Sequence, residues 1–322
     1  MDGFPRPVVV VSKCLGFAHC RYNGQTIPDH FVGQLMPYVE FKPICPEVEI
    51  GLGVPRDPIR IVEEGGSKIL FQPTTGKDVT GDMNQFIERF FRSVGDVDGF
   101  ILKNRSPSCG PADVKIYSSK KKEAKTTRGS GFFGGAAQAL FPDRPIEDEG
   151  RLRNFTIREH FLTRLFAVTR FRLMKAKRSM RDLVDFHARY KYLLMAYSQA
   201  QLKLLGYIVA NHEKRGINEV LDLYESHFMK VFVRIPRFKS MINVLHHAYG
   251  GLAKHLKSEE KRFFLNSVEE YRDERIPLST LIHLLEAWSI GQGKQYLLDQ
   301  VLLKPYPRQL VDITDSGKGR KY

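Results

Sequence analysis

Three short apolar runs in this chain each deliver the backbone into a turn that carries a thiol, and that recurrence narrows the possible folds more than any other feature. Val8 to Val11, Val39 to Ile44 and Gly99 to Leu102 read as buried strands. They run into Ser12-Lys13-Cys14, Cys45-Pro46-Glu47 and Ser106-Pro107-Ser108-Cys109-Gly110. Pro107 removes a backbone donor and Gly110 permits positive φ, so the third segment turns instead of extending the strand. In an open α/β sheet, ligands lie outside the carboxyl ends of parallel strands. The pattern therefore predicts that Cys14, Cys45 and Cys109 meet in one crevice.

Between these runs, Phe31 to Tyr38 reads as a short helix, and Gly51 to Pro58 holds too much glycine and proline for a regular element. Ile59 to Val62 and Lys68 to Gln72 read as a β-hairpin turned at Glu64-Gly65-Gly66. Met83, Phe86, Ile87, Phe90, Phe91 and Val94 recur at helical spacing behind Thr80, which suits an N-cap. Val114 to Tyr117 reads as a further strand, followed by a basic run from Lys120 to Lys125 and a glycine-rich turn, Gly129 to Gly135, feeding a helix over Ala136 to Leu140.

From Phe141 to Asn154 the composition shifts to Pro, Asp, Glu and Arg, as in a linker. The expected division is a first domain over 1–142, a linker over 143–154 and a second domain over 155–322. In the second, Thr156 to Met174, Ser179 to Ala210, Ile217 to Ile235, Phe238 to His255, Ser258 to Arg275 and Leu278 to Ile290 all space apolar residues three to four apart. Ser179 with Asp182 resembles a capping box, and Pro236 and Pro277 punctuate the helices. The expected fold class is an α/β domain followed by an all-α domain.

Charge divides the chain in the same way. Residues 1–150 hold 19 Lys and Arg against 19 Asp and Glu, whereas residues 151–322 hold 31 against 17, so the whole net charge of +14 belongs to the second half. Such an excess favours a polyanion over a small neutral ligand, although a merely solvated basic helical surface has the same composition. No apolar run reaches the length of a membrane span, and Met1-Asp2-Gly3-Phe4-Pro5 lacks the basic-then-apolar form of a signal peptide. A cytoplasmic protein without a membrane partner, monomeric or weakly self-associating, is the expectation.

The four cysteines, Cys14, Cys20, Cys45 and Cys109, all lie in the first third. A chain of this length needs no disulfide scaffold, which leaves metal binding, catalysis or burial as inert thiols. No CxxC pair is present, which argues against a zinc ribbon. Gly129-Ser130-Gly131-Phe132-Phe133-Gly134 matches GxGxxG, but it follows Thr126-Thr127-Arg128 and not an apolar strand, so it is no dinucleotide fingerprint. Its backbone N–H groups, with Ser130 and Gly131, are assigned to a substrate pocket.

Cys14-Leu15-Gly16, Cys20-Arg21-Tyr22-Asn23-Gly24, Cys45-Pro46-Glu47 with Gly51-Leu52 and Pro55-Arg56, Ser106 to Gly110, and Gly129 to Phe133 together resemble the thiouracil desulfidase (TudS-type) family. Asn23 stands where that family's pattern has Asp. The resemblance covers about residues 7–142 and implies a Rossmann-like domain holding a [4Fe-4S] cluster on Cys14, Cys45 and Cys109, with Cys20 apart in its loop. Cys20, in the loop after the expected strand Val8 to Val11, is a fourth candidate ligand. The resemblance also implies non-redox removal of sulfur from a thiolated uracil, with Glu47 as base and Ser106 donating or orienting a proton. Arg56, Lys103 and Ser108 join Ser130 and Gly131 as expected substrate contacts.

Residues 155–290 resemble a YbgA-type domain through Glu159-His160-Phe161, Asp185 to Lys191 and Asn243 to Gly250. His187 and Lys191 stand one helical turn apart, with His160 as a third candidate for a metal or phosphate site, against the plainer reading of a hydrogen-bonded structural histidine. Tyr190, Tyr192 and Tyr197 among basic residues suit RNA. The expected function is desulfuration of 4-thiouridine in tRNA; its rivals are the same chemistry on free thiouracil or thiouridine nucleotides, and a non-enzymatic nucleic-acid-binding protein with a structural metal.

Overall fold

A computed structural model describes residues 3–121 and 123–314. The chain divides into one unit of Met1–Thr169 with Tyr306–Tyr322 and another of Arg170–Pro305.

In the first unit, β1 (Val8–Ser12), α1 (His30–Leu35), β2 (Glu40–Ile44) and α2 (Pro46–Glu49) precede a hairpin of β3 (Arg60–Glu64) and β4 (Ser67–Gln72). Then come β5 (Lys77–Asp78), α3 (Thr80–Ser93), β6 (Gly99–Leu102), β7 (Val114–Tyr117), β8 (Thr126–Gly129), α4 (Phe132–Leu140) and β9 (Ile146–Asp148). Two sheets result. The first is parallel throughout in the order β2-β1-β6-β9, and the second is mixed in the order β5-β4-β3-β7-β8. Val9, Val10 and Val11 are all fully buried because the parallel sheet is covered on both faces, which is why its strands read as unbroken apolar runs. Val10, Phe100 and Leu102 face a core that includes Met83, Phe86 and Phe133, while Val9, Val11 and Ile101 face Leu35, Phe161, Leu165 and Phe166.

The structure departs from the sequence reading at three places here. The expected linker contains β9, which pairs with β6 through Phe100↔Ile146. The first unit then runs on to Thr169, because Leu152, Phe161, Leu162, Leu165 and Phe166 supply apolar surface that covers β1, together with Tyr306 and Leu310. Thr80 does not cap α3: its hydroxyl accepts the Leu70 N–H at 2.7 Å, and Val79 occupies the cap position.

The division falls within α5 (Phe155–Ala176). The second unit continues with α6 (Met180–Tyr197), α7 (Gln199–Ala210), α8 (Ile217–Val231), α9 (Phe238–Gly250), α10 (Ser258–Arg272), α11 (Leu278–Gly291) and α12 (Gln295–Leu298). Ser179 caps α6 by accepting the Asp182 N–H. The helix expected over Ser179 to Ala210 is two helices, broken at Ser198, whose hydroxyl accepts the Gln201 N–H and restarts the chain as α7. Phe171, Tyr224 and Phe228 stack at its core, with Phe186 edge-on against Phe171 and Phe228. No helix among the described residues is long and apolar enough to cross a membrane.

Candidate active site

The carboxyl ends of β1, β2 and β6 open onto one cavity of about 360 Å³ lined by Cys14, Cys20, Cys45 and Cys109. Backbone bonds between neighbouring strand ends set this convergence. The Lys13 N–H donates to the Ile44 carbonyl at 2.8 Å, joining the exits of β1 and β2, and the Lys103 N–H donates to the Ser12 hydroxyl at 2.8 Å, joining β1 to β6. Cys109 is held by its own turn, where its N–H donates to the Ser106 hydroxyl at 3.1 Å.

Glu47, on the single turn of α2, is fixed at both carboxylate oxygens. Arg56 clamps Oε2 from Nε at 2.8 Å and from Nη2 at 2.7 Å, and the Ser108 hydroxyl donates to Oε1 at 2.6 Å. The Ser106 hydroxyl lies 3.0 Å from that of Ser108, so Ser106, Ser108 and Glu47 form one continuous hydrogen-bonded path along the cavity wall. Arg56 is itself pinned by donating to the carbonyls of Cys20 and Gly53, each at 3.0 Å. The Arg56 and Glu47 side chains are only 4% and 12% exposed, so this pair, two N–H groups on one oxygen, is shielded from solvent and holds its geometry.

All four thiols are free. The Cys45 thiol donates to the Cys20 carbonyl at 3.6 Å and lies 3.9 Å from Arg56 Nη2. Hydrogen bonding with Cys20, and then burial, push the Cys45 thiol far above its ordinary range. Burial pushes Cys109 up to about 12. Cys20 lies against both Cys14 and Cys45, and the bond with Cys14 raises it in turn. Thiols of this kind are poor free nucleophiles, and a metal that binds them must displace their protons. Among the described residues, no three His, Cys, Asp or Glu side chains close on one ion-sized point. The thiols stand around a cavity, and that donor set fits an iron–sulfur cluster better than a single zinc ion.

Arg56, Lys103 and Ser108, expected to contact substrate, line the cavity, whereas Ser130 and Gly131 do not. The glycine-rich segment buttresses the thiol turn from behind. A Cβ on Gly131 would meet the Ser108 carbonyl at 2.6 Å, and one on Gly134 would meet the Cys109 carbonyl at 2.5 Å. The first N–H groups of α4 are spent on the same turn: Phe132 donates to Pro107 and Phe133 to Ser108. They offer nothing to an anion, so the pocket role expected for Gly131 is replaced by a packing role, and Ser130 lies outside the cavity lining.

The sequence reading overlooked Lys13, Arg21, Tyr22 and Arg105 as cavity-lining residues, and it overlooked Glu149. Glu149 sits just beyond β9, pairs with the Lys103 ammonium and accepts the Asn104 N–H at 2.8 Å, which anchors the start of the β6 turn. A strand of three residues in an acidic, proline-bearing segment gave no periodicity from which to infer this.

In the helical unit, His187 Nδ1 lies 3.1 Å from the Tyr224 hydroxyl, and burial followed by the nearby Lys191 charge lowers its pKa. The bond to Tyr224 fits the plainer reading of a hydrogen-bonded structural histidine. His160 lies on α5 within the first unit's share of that helix, so it does not join His187 and Lys191 in one unit. Tyr190 is 1% exposed and stacked on Phe186 at 4.2 Å, so no base reaches its ring. Tyr192 and Tyr197 are half-buried edge-on against Tyr296 and Phe232.

A thiol-lined cavity at the ends of parallel strands, with a buried carboxylate wired to two serines, defines a class of site. The sequence comparisons give the family: residues 9–149 match the family described as 2-thiouracil desulfurase, to which the chain belongs. Residues 191–307 match one described as a protein of unknown function, DUF1722. The chain is 31% identical over 125 residues to the uncharacterized protein YbbK of Bacillus subtilis strain 168, covering 35% of this chain and 82% of that one. It is 25% identical over 158 residues to the uncharacterized protein YbgA of Escherichia coli K12, covering 48% and 93%. Among solved structures, a [4Fe-4S]-dependent thiouracil desulfidase, TudS, matches with 26% identity over 46% of this chain and 93% of its own, at a TM-score of 0.36.

Proposed function

We propose that this protein removes sulfur from 4-thiouridine in tRNA, converting the thiocarbonyl and water to uridine and hydrogen sulfide without oxidant or reductant. The observation that carries the chemistry is the hydrogen-bonded path from Ser106 through Ser108 to Glu47 along a cavity walled by four free thiols. Cys14, Cys45 and Cys109 would hold a [4Fe-4S] cluster, which when bound supplies an open iron as Lewis acid for the substrate's sulfur.

The chain's own residues handle the proton. Attack of water on C4 forms the C–O bond and releases a proton, and the C–S bond breaks as sulfur leaves. Glu47 accepts the water proton through the serine hydroxyls, because Arg56 occupies its other oxygen, and returns it by the same path to the departing sulfur, so that both water protons leave in hydrogen sulfide. Arg56 also keeps the carboxylate from turning away from Ser108.

The choice of tRNA over a free base rests on the basic surplus of the second half, 31 Lys and Arg against 17 Asp and Glu. An anaerobically purified protein is expected to be brown, absorbing near ~400 nm. Turnover on thiolated tRNA, thiouridine monophosphate and free 4-thiouracil is then compared across a salt series. Equal rates on all three without salt dependence would rule out tRNA as the preferred substrate.

A further inference from the structure

Residues 1–150 are neutral as a whole, yet residues 114–129, the hairpin of β7 and β8 with its connecting loop, hold six Lys and Arg against Glu123 alone. Ile61, Leu70, Val114 and Ile116 of the second sheet turn to the core, so strand alternation places Arg60, Phe71, Lys115, Tyr117 and Arg128 on the opposite face. Lys115, Lys121, Lys125 and Arg128 are exposed and have no carboxylate partner among the described residues. Lys115 and Arg128 stand directly opposite each other, and like charges so placed weaken a sheet. An anion lying across them removes that repulsion.

The hairpin is fastened at its base and along its loop. At the base, the Gly131 N–H donates to the Gly110 carbonyl at 2.7 Å and a Cβ on Gly110 would meet the Val114 side chain at 2.5 Å, so both strands are seated against the thiol turn. The loop is drawn over the sheet: Arg60 Nη2 donates to the Lys120 carbonyl at 2.6 Å, and the Lys120 ammonium pairs with Glu64 at 2.8 Å. β7 leads away from the thiol turn at about 3.3 Å per residue, so the hairpin extends outward from the cavity and contributes nothing to its lining. The two rings on this face are already used, Tyr117 by the Arg60 guanidinium 4.9 Å from its centre and Phe71 by the Lys120 ammonium at 5.5 Å. The surface therefore offers charge without an open ring for a base, which suits contact with phosphates and not with base sequence.

We propose that the β7–β8 hairpin is an RNA-backbone contact: a strand whose thiolated nucleotide enters the cavity lays neighbouring phosphates on Lys115, Lys121, Lys125 and Arg128. This rests on the proposed desulfuration of tRNA and deepens it, giving the thiol-bearing unit its own hold on the polynucleotide in addition to the charge of the helical unit. Cations that neutralise backbone phosphates release counterions, so the contact strengthens binding at low salt without reading sequence. An anionic lipid surface meets the same charges, but the tie between the hairpin and the turn of Cys109 favours a ligand that also reaches the cavity, which a membrane does not.

The test compares the loaded enzyme with a variant combining Lys115→Gln, Lys121→Gln and Lys125→Gln, three exposed positions whose loss spares the core. Binding of unthiolated tRNA, read by anisotropy across a salt series, should lose about three units of salt slope, one for each cation removed. Turnover should follow, with kcat/KM on thiolated tRNA falling about tenfold or more and kcat/KM on thiouridine monophosphate unaltered. The matching variant with Lys115→Arg, Lys121→Arg and Lys125→Arg should behave as the unsubstituted enzyme does. An unchanged salt slope overturns the proposal, and so does an equal loss on the monophosphate, which would place the effect inside the cavity. Association with phosphatidylcholine vesicles that depends on added phosphatidylserine and disappears in the glutamine variant, with tRNA binding intact, would replace the RNA by a membrane. Absence of turnover on every thiolated pyrimidine by the unsubstituted enzyme would overturn the desulfuration instead, and the salt slope would still decide the hairpin.

Discussion

The first unit and the helical unit use polar side chains in opposite ways. At the strand ends, Glu47, Arg56, Ser106 and Ser108 spend their hydrogen bonds on one another around open space, so their positions are fixed while a face of the network stays available. In the helical unit, His187 is spent on Tyr224 and Gln300 on the Ala188 carbonyl, and the cavity beside Gln300 measures only about 10 Å³. That unit nevertheless carries 23 Lys and Arg against 14 Asp and Glu. The contrast separates the two parts of the proposal: its chemistry needs a few groups held rigidly around a void, and the proposed attraction of a polyanion needs many charges at no particular register.

Substitutions break this contrast most severely at the thiols. Cys45→Ala should abolish both the visible absorbance and turnover, whereas Glu47→Gln should keep the absorbance and lower turnover by about 10²–10⁴-fold. An active Glu47→Gln enzyme would remove Glu47 from the proton path. Gly134→Ala should come next, because its Cβ would collide with the Cys109 and Gly110 carbonyls at 2.5 Å. A loss of about 1–3 kcal/mol in denaturant unfolding is expected, together with weakened iron retention; an unaffected variant would show that the thiol turn yields.

The matching change in the helical unit has the opposite sign. Gly206 lies inside α7 with His187 Nε2 as its nearest neighbour, at 3.7 Å, so Gly206→Ala should stabilise by about 0.5–1 kcal/mol. A destabilised protein would mean that the two regions are equally tightly packed. The smallest effect is on a slope. His187 has its pKa depressed below the ordinary 6.5, so the unfolded chain binds the extra proton first as pH falls. The stability contribution is complete above pH 6.5 and declines as pH drops through the depressed value. The pH dependence of Tm between pH 7.5 and 5.5 should flatten in His187→Gln, and an unaltered slope would count against a buried neutral ring.

Much of the site was legible because its parts lie at the ends of strands that sequence marks clearly. Val8 to Val11 and Gly99 to Leu102 are apolar and bounded by Pro or Gly, and the residues after them could be placed without knowing how the sheet pairs. What escaped depends on pairing across distance. β9 has three residues, and its place beside β6 is set by Phe100↔Ile146 and not by any local period. Gly131 and Gly134 look alike whether a backbone approaches a ligand or another backbone, and only the Ser108 and Cys109 carbonyls decide the matter. The break at Ser198 was hidden because the apolar spacing runs through it, while its hydroxyl caps the next helix. Arg21 and Arg105 were passed over because a surface arginine carries no sequence mark of lining a cavity.

Tyr306 and Leu310 are buried with Val9 and Val11, so the chain returns to its first strand only after the intervening helices have been made. A ribosome emits the amino end first, and a core that waits for a distant segment stays open until that segment has been made. That face of the first sheet is therefore closed only once residues 306 to 310 have been made, long after the turns that carry Cys14, Cys45 and Cys109.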